Sequence, residues 1–314
     1  MNKSTSFSVL PVLLVLALLL QDCAREVIID LPEEAPKIVA VGHFNENEPF
    51  RVRVTISQPV YASSTPITPE TVDISISEDG LFLDKLFRKF TPEGELYWES
   101  RDTGTPGLQY AMVARVAGYP SVTAASKLPL YAGLEPIVAK AEEMKDVALA
   151  DGRRELRIPL ELKVSKMPAA NRFFAFHLIH ELAVYDYLVD PPVFDYSIIP
   201  DSTFFLADGR TLSLLHNIPE PAVLINSNFW NEGRETLHLV ARIPYDPANN
   251  ERPRQISVEW RTLSEEYYRY HLSVARQGSS LPLSDPDAVF NNIDGGYGNF
   301  SGYTTHTYTV ELPQ

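Results

Sequence analysis

Apolar residues recur at every second position in one segment after another, and that alternation restricts the fold more tightly than any other feature of the chain. In FRVRVTIS, Val52, Val54 and Ile56 share one side of an extended chain while Arg51, Arg53 and Thr55 take the other. TVDISISEDG repeats the pattern with Val72, Ile74 and Ile76 before a turn at Asp79-Gly80, and ELRIPLELKV keeps it over Leu156, Ile158, Leu160, Leu162 and Val164. Successive side chains of a strand point to opposite faces, so each run is a strand with one apolar face to cover. GLFLDKLF, ELYWES, LQYAMVARV and SVTAAS add strands before residue 130, separated by turn sequences such as TGTPG and AGYPSV. Short strands at that spacing predict a sandwich.

The stretch KLPLYAGLEP reads as a boundary. It divides the chain into an immunoglobulin-like or transthyretin-like β-sandwich over 36–130 and a second β-rich domain over 131–314. A chain of 314 residues exceeds the usual size of a single core, which agrees with two domains. Strands of the second half are expected at NRFFAFHLIHELAVYDYL, AVLINSNFW, ETLHLVARI, QISVEWRT and TTHTYTVEL. Pro159, inside ELRIPLELKV, cannot donate a ladder hydrogen bond, which predicts an edge or bulged strand there. One segment departs from period two. SEEYYRYHLSVARQG has Ser264 at an N-cap position, Glu265 and Glu266 in a first turn, Arg276 in a last turn and Gly278 beyond. It predicts a helix over 264–277 that packs Tyr267, Tyr270, His271 and Val274 on a sheet. The fold class is therefore all-β, with one helix in the second domain.

The amino-terminal end has a different character. Lys3 precedes an unbroken apolar run, Val9 to Leu20, that ends at Gln21, Asp22 and Cys23. As a helix this run reaches only about 18 Å against a hydrocarbon core of about 30 Å, so it reads as a signal peptide over 1–22 rather than a membrane span. Cys23 is the chain's only cysteine. Of a free thiol, an intermolecular bridge and thioether lipidation, the leader favours lipidation of Cys23. Residues 23–35, short, charged and proline-ended, then form a tether.

Composition narrows the function. With 45% hydrophobic and 22% charged residues the chain is an ordinary globular protein, and a net charge of −14 without any basic stripe argues against nucleic acid. GGYGNFSG at 295–302 precedes a strand rather than a helix, so the glycines read as a tight turn or bulge with Tyr297 and Phe300 packed back on the domain, not as a phosphate loop. HLIHE at 177–181 matches neither order of a zinc-protease motif, and on a strand His177 and His180 point to opposite faces. No GxSxG elbow and no calcium-loop spacing occurs. No catalytic residue, metal site or cofactor is expected. The segment best suited to a ligand is YDYLVDPPVFDYSIIPDSTFF, read as a long loop because of Pro191, Pro192 and Pro200. Tyr185, Tyr187, Phe194 and Tyr196 beside Asp186 and Asp190 combine aromatic faces with carboxylates, a mixture that suits a glycan or a peptide.

Four stretches, CAREVIIDLPEEAPKIVAVGHF, PGLQYAMVARVAGYPSVTA, LSEEYYRYHLSVARQ and NIDGGYGNFSGYTTHTYTV, carry a resemblance that runs almost the length of the chain. With them the chain resembles the Bacteroidota lipoproteins grouped as domain of unknown function 4249. The resemblance implies a lipid-anchored outer-membrane protein with an N-terminal immunoglobulin-like sandwich. It further implies a gene placed beside that of a TonB-dependent transporter. With no catalytic motif in the sequence, the expected function is an accessory or substrate-capture partner of that transporter, without catalytic activity. The resemblance carries over no site residues. Ala24-Arg25, with the first acidic residue at Glu26, leaves periplasmic and surface-facing orientations both open. The alternatives are a structural or adhesive envelope protein, and behind that a glycoside hydrolase built on a distant carboxylate pair.

Overall fold

The alternating runs of the first half are strands in the computed structural model, which describes residues 34–59, 67–133, 138–139, 143–163, 173–186, 193–201, 204–206, 214–215, 222–226, 236–277 and 288–311. One layer sets β1 (Ile38–Phe44), β2 (Pro49–Ile56), β6 (Leu96–Thr103) and β5 (Phe87–Phe90) side by side in that order. The facing layer runs β4 (Leu81–Lys85), β3 (Val72–Glu78), β7 (Gln109–Val116) and β8 (Val122–Lys127). Val52, Val54, Ile74, Ile76 and Met112 close the gap between the layers while Arg51 and Arg53 stay outside, as the period of two requires. Phe44 anchors this core, with ring centroids 5.0 Å from Phe50 and 5.2 Å from Tyr110. Each such side chain, fully buried, contributes about 1.5–3 kcal/mol. Tyr110 meets the cost of its polar tip at the rim, where its hydroxyl donates to Glu78 at 2.5 Å and accepts from the Thr105 N–H at 2.6 Å.

GLFLDKLF, expected as one strand, is two. Leu86 turns into the core and its N–H bonds the Ile74 carbonyl at 3.0 Å. The chain thereby leaves the layer of β3 as β4 and enters the layer of β6 as β5.

The second half repeats the plan. One sheet orders β10 (Lys145–Ala148), β11 (Arg154–Lys163), β17 (Thr236–Tyr245) and β14 (Phe204–Leu206), with β9 (Val138–Ala139) also beside β11. Against it stand β15 (Leu214–Leu215), β16 (Ala222–Asn226), β12 (Phe173–Asp186) and β18 (Glu251–Leu263), with β13 (Val193–Asp201) along the other end of β12. Ile158, Leu160, Leu162, Phe174 and Ile243 bury between them around Trp260, which stacks on Phe174 at 5.0 Å and donates to the Ala132 carbonyl at 2.9 Å. Pro159 is not in a bulge, since β11 pairs with β17 along its whole length. On the other flank, among the described residues, β10 pairs only as far as Arg157 and β9 only from Leu160, so the proline stands at a local edge, as expected.

Residues 193–201, expected within a long loop, are a strand paired to β12 from Leu178↔Asp201 to Asp186↔Val193. Among the described strands β13 pairs with β12 alone, which leaves Pro200 a free side.

β19 (Tyr297–Glu311) connects the two halves. Tyr297 to Gly302 run parallel to β1, and Tyr303 to Glu311 run antiparallel to β18. One strand therefore completes first one sandwich and then the other, and Phe300 enters the first core 4.7 Å from Phe44. The glycine run supplies the expected turn at Gly295, where φ is 78°, and Gly296, and continues into the opening of β19. Gly298 has φ 118°, and a Cβ there would stand 2.0 Å from the Ala40 carbonyl oxygen. Only glycine lets β19 approach β1 so closely. Tyr297, expected to pack back on the domain, is instead 36% exposed, with its hydroxyl 3.1 Å from Lys37 Nζ.

Ser264 leads from β18 into α1 (Glu265–Gln277), its hydroxyl accepting the Tyr267 N–H at 3.3 Å. The helix lies against the sheet face opposite Phe174 and Trp260, where Ala175, Leu263 and Tyr267 bury together and Phe173 stacks on Tyr268 at 4.5 Å. Among the described residues no helix is long and apolar enough to cross a membrane.

Candidate functional site

Strand parity puts polar side chains under α1. On β1 and β19 the paired positions His43 and Ser301 share this face, and on β12 and β18 so do the paired positions His177 and Glu259. Arg261, Asn299 and Tyr303 lie on the same face of their strands, and α1 lowers Tyr267, Tyr270 and His271 onto them. The His271 ring is 4.2 Å from that of Tyr267 and 5.0 Å from that of His43. Arg261 is the charged centre: Nε donates to Glu259 at 2.5 Å, a terminal nitrogen donates to the Tyr267 hydroxyl at 3.1 Å, and the guanidinium lies 4.4 Å from the Tyr303 ring centroid. The Tyr303 hydroxyl in turn accepts from Asn45 at 3.1 Å.

His271 is 5% exposed and neither of its ring nitrogens has a hydrogen-bond partner among the described residues. Burial pushes its pKa down to about 2, and His43, Arg261 and His177 repel a proton further. The ring is neutral at any ordinary pH. Burial also raises the Tyr270 phenol. His43 Nδ1 stands 3.1 Å from Ser301 Oγ, a contact with the composition of a nucleophile and its base. Ser301, however, is fully buried and its oxygen accepts from Asn299 Nδ2 at 2.7 Å, so no substrate reaches it as the layer is packed. Among the described residues no three His, Cys, Asp or Glu side chains are placed to hold a metal ion. The layer is a hydrogen-bonded and aromatic bed that fixes the helix.

Of the candidates read from the sequence, Tyr185, Asp186, Phe194 and Tyr196 stand on the β12–β13 hairpin. Tyr185 pairs across the β12–β13 hairpin with Phe194, Asp186 with Val193, and Tyr196 with Ala183. The register thus brings Tyr185 and Phe194 directly opposite one another. Tyr187, Asp190 and Cys23 lie outside the described residues. His177, which the sequence offered only as half of a failed metal motif, belongs to the layer under α1, as does His43, which no motif marked. The usable signal was polar side chains at constant parity on several strands, and it becomes legible only when the pairing of β1 with β19 is known.

A family described as "Domain of unknown function (DUF4249)" matches residues 24–309, which takes in both sandwiches and the helix. The chain belongs to the DUF4249 family. No match exists among curated proteins. Among solved structures, a "Biofilm associated protein - B domain" aligns with 86% of this DUF4249 chain and 85% of its own length, at 11% identity and a TM-score of 0.21. A "Biofilm associated protein - BSP domain" aligns with 86% of this chain and 58% of its own, at 10% identity and the same score of 0.21. Superpositions at that level bear on neither the fold nor the function of the DUF4249 protein.

Proposed function

We propose that this DUF4249 protein is exported, held to the outer membrane through lipidated Cys23, and works by binding rather than catalysis, as an accessory or substrate-capture partner of a TonB-dependent transporter. The observation that carries this reading is the apolar run Val9 to Leu20, ending just before the only cysteine in the chain. A short charged tether then leads to the first strand at Ile38. Two further features support a binding role. Ser301, the serine of the contact with His43 that could have served chemistry, is fully buried. The β12–β13 hairpin carries Tyr185, Asp186, Phe194 and Tyr196, residue types that recognise glycans or peptides. Crosslinking in cells followed by purification of this protein tests the partnership. Recovery of an outer-membrane transporter is expected, and recovery of matrix or other envelope proteins in its place would overturn it. A deletion strain should also grow poorly on whatever that transporter imports.

A further inference from the structure

Along the outer edge of the first sandwich large apolar side chains stand in solvent. Leu81 is 76% exposed and Phe82 68%, at the start of β4, and Phe90 57% and Phe87 42%, at the two ends of β5. All four residues of β5 are exposed, and among the described strands β5 pairs with β6 alone. The Thr91 N–H bonds the Glu95 carbonyl at 2.9 Å to close the β5–β6 turn. Antiparallel alternation then turns the main-chain groups of Phe87 and Lys89 toward β6 and those of Arg88 and Phe90 outward. Such an edge is a template for one more strand.

The charge at this edge runs against that of the whole chain. Arg88 lies 5.1 Å from the Phe90 ring centroid and Arg101 4.4 Å from that of Phe87. Among the described residues neither of them, nor Lys89, forms an ion pair, whereas Arg51 and Arg53 on neighbouring β2 are paired with Glu99 and Glu95. Arg88 and Lys89 on β5 and Arg101 on neighbouring β6, without an ion pair among the described residues, thus stand with exposed phenyl rings at one open edge of a chain of net charge −14.

We propose that the β5 edge is a docking site for an extended acidic peptide, which adds as a strand beside Phe87–Phe90. A second copy of the chain is disfavoured, because the antiparallel register that sets the outward-facing Arg88 opposite Phe90 brings Lys89 directly against Lys89. A lipid surface fits less well. Phe87 and Phe90 are an odd number of positions apart and stand on opposite faces of the sheet, so a bilayer meets one of them at a time while an added strand is flanked by both. The same cations that refuse a like edge attract carboxylates.

Fluorescence anisotropy with the full chain tests this, using a labelled synthetic peptide of alternating Glu and Val. The peptide is expected to bind, to be weakened by salt, and to lose roughly tenfold in affinity against R88E/K89E while thermal stability is unchanged. Methylating alternate backbone nitrogens of the peptide, which leaves its charge intact, is expected to abolish binding to the unaltered protein. Failure of the Glu–Val peptide to bind would overturn the proposal. So would equal binding to R88E/K89E, equal binding of the methylated peptide, or capture of the protein by phosphatidylglycerol vesicles in the absence of any peptide binding.

Discussion

His271 is a buried polar ring whose two nitrogens find no hydrogen-bond partner among the described residues, and that makes its protonation costly to the fold. An unfolded chain takes up its proton near pH 6.5, whereas the folded chain refuses it until about pH 2. Between those values the unfolded state binds more protons, so stability is full above pH 6.5 and falls as the pH drops, by about 1.4 kcal/mol per pH unit for one such group. His43, His177 and Arg261 face the same ring, so the comparison must be with a variant that removes His271 alone. Urea unfolding at about pH 7 and about pH 5 is expected to show the wild type losing roughly 2 kcal/mol more than His271→Leu across that interval. Equal losses would mean that the ring is hydrated or paired. Beside it, Arg261 has a side chain only 7% exposed and leans on Glu259. Glu259→Ala takes away the carboxylate bonded to that buried charge and is expected to cost about 3 kcal/mol in the same assay, more than Arg261→Met, which removes the charge itself. The reverse order would place Arg261 in water.

At the scale of elements, the close approach of β19 to β1 rests on Gly298. Gly298→Ala combines a φ of 118° with a backbone collision and is expected to cost about 3 kcal/mol or more, whereas Gly118→Ala, at φ 84° with open space around it, costs about 1 kcal/mol. Thermal denaturation of the two variants ranks them, and an equal ranking would deny the close approach. Local patterns were legible where one element decides its own form. The burial of Val52, Val54 and Ile56 follows from alternation, and α1 follows from Ser264 and the charges at its ends. What depended on a second element was not. Pro191, Pro192 and Pro200 argued for a loop because nothing local says that, among the described strands, β13 has a partner on one side only. The inward turn of Leu86 needs both layers of the sandwich to be known before β4 and β5 can be told apart. His43, His177 and His271 are far apart in the chain and meet only through strand pairing and parity.

For the whole molecule, the division of β19 between two sandwiches ties their stabilities together. Trp98 is buried in the first core and Trp260 in the second, so variants that retain one or the other report on each half. Their fluorescence transitions in urea are expected to coincide, and two separated midpoints would show that the shared strand does not couple the halves. This tied body is what the proposed anchor holds at the membrane, leaving the β5 edge and the β12–β13 hairpin to meet partners. The anchor is also the premise on which the functional account stands. Cells fed labelled palmitate test it most directly: the wild-type protein is expected to take up the label and sediment with membranes, and Cys23→Ala to do neither. Label incorporation and membrane retention undiminished in Cys23→Ala would contradict the account.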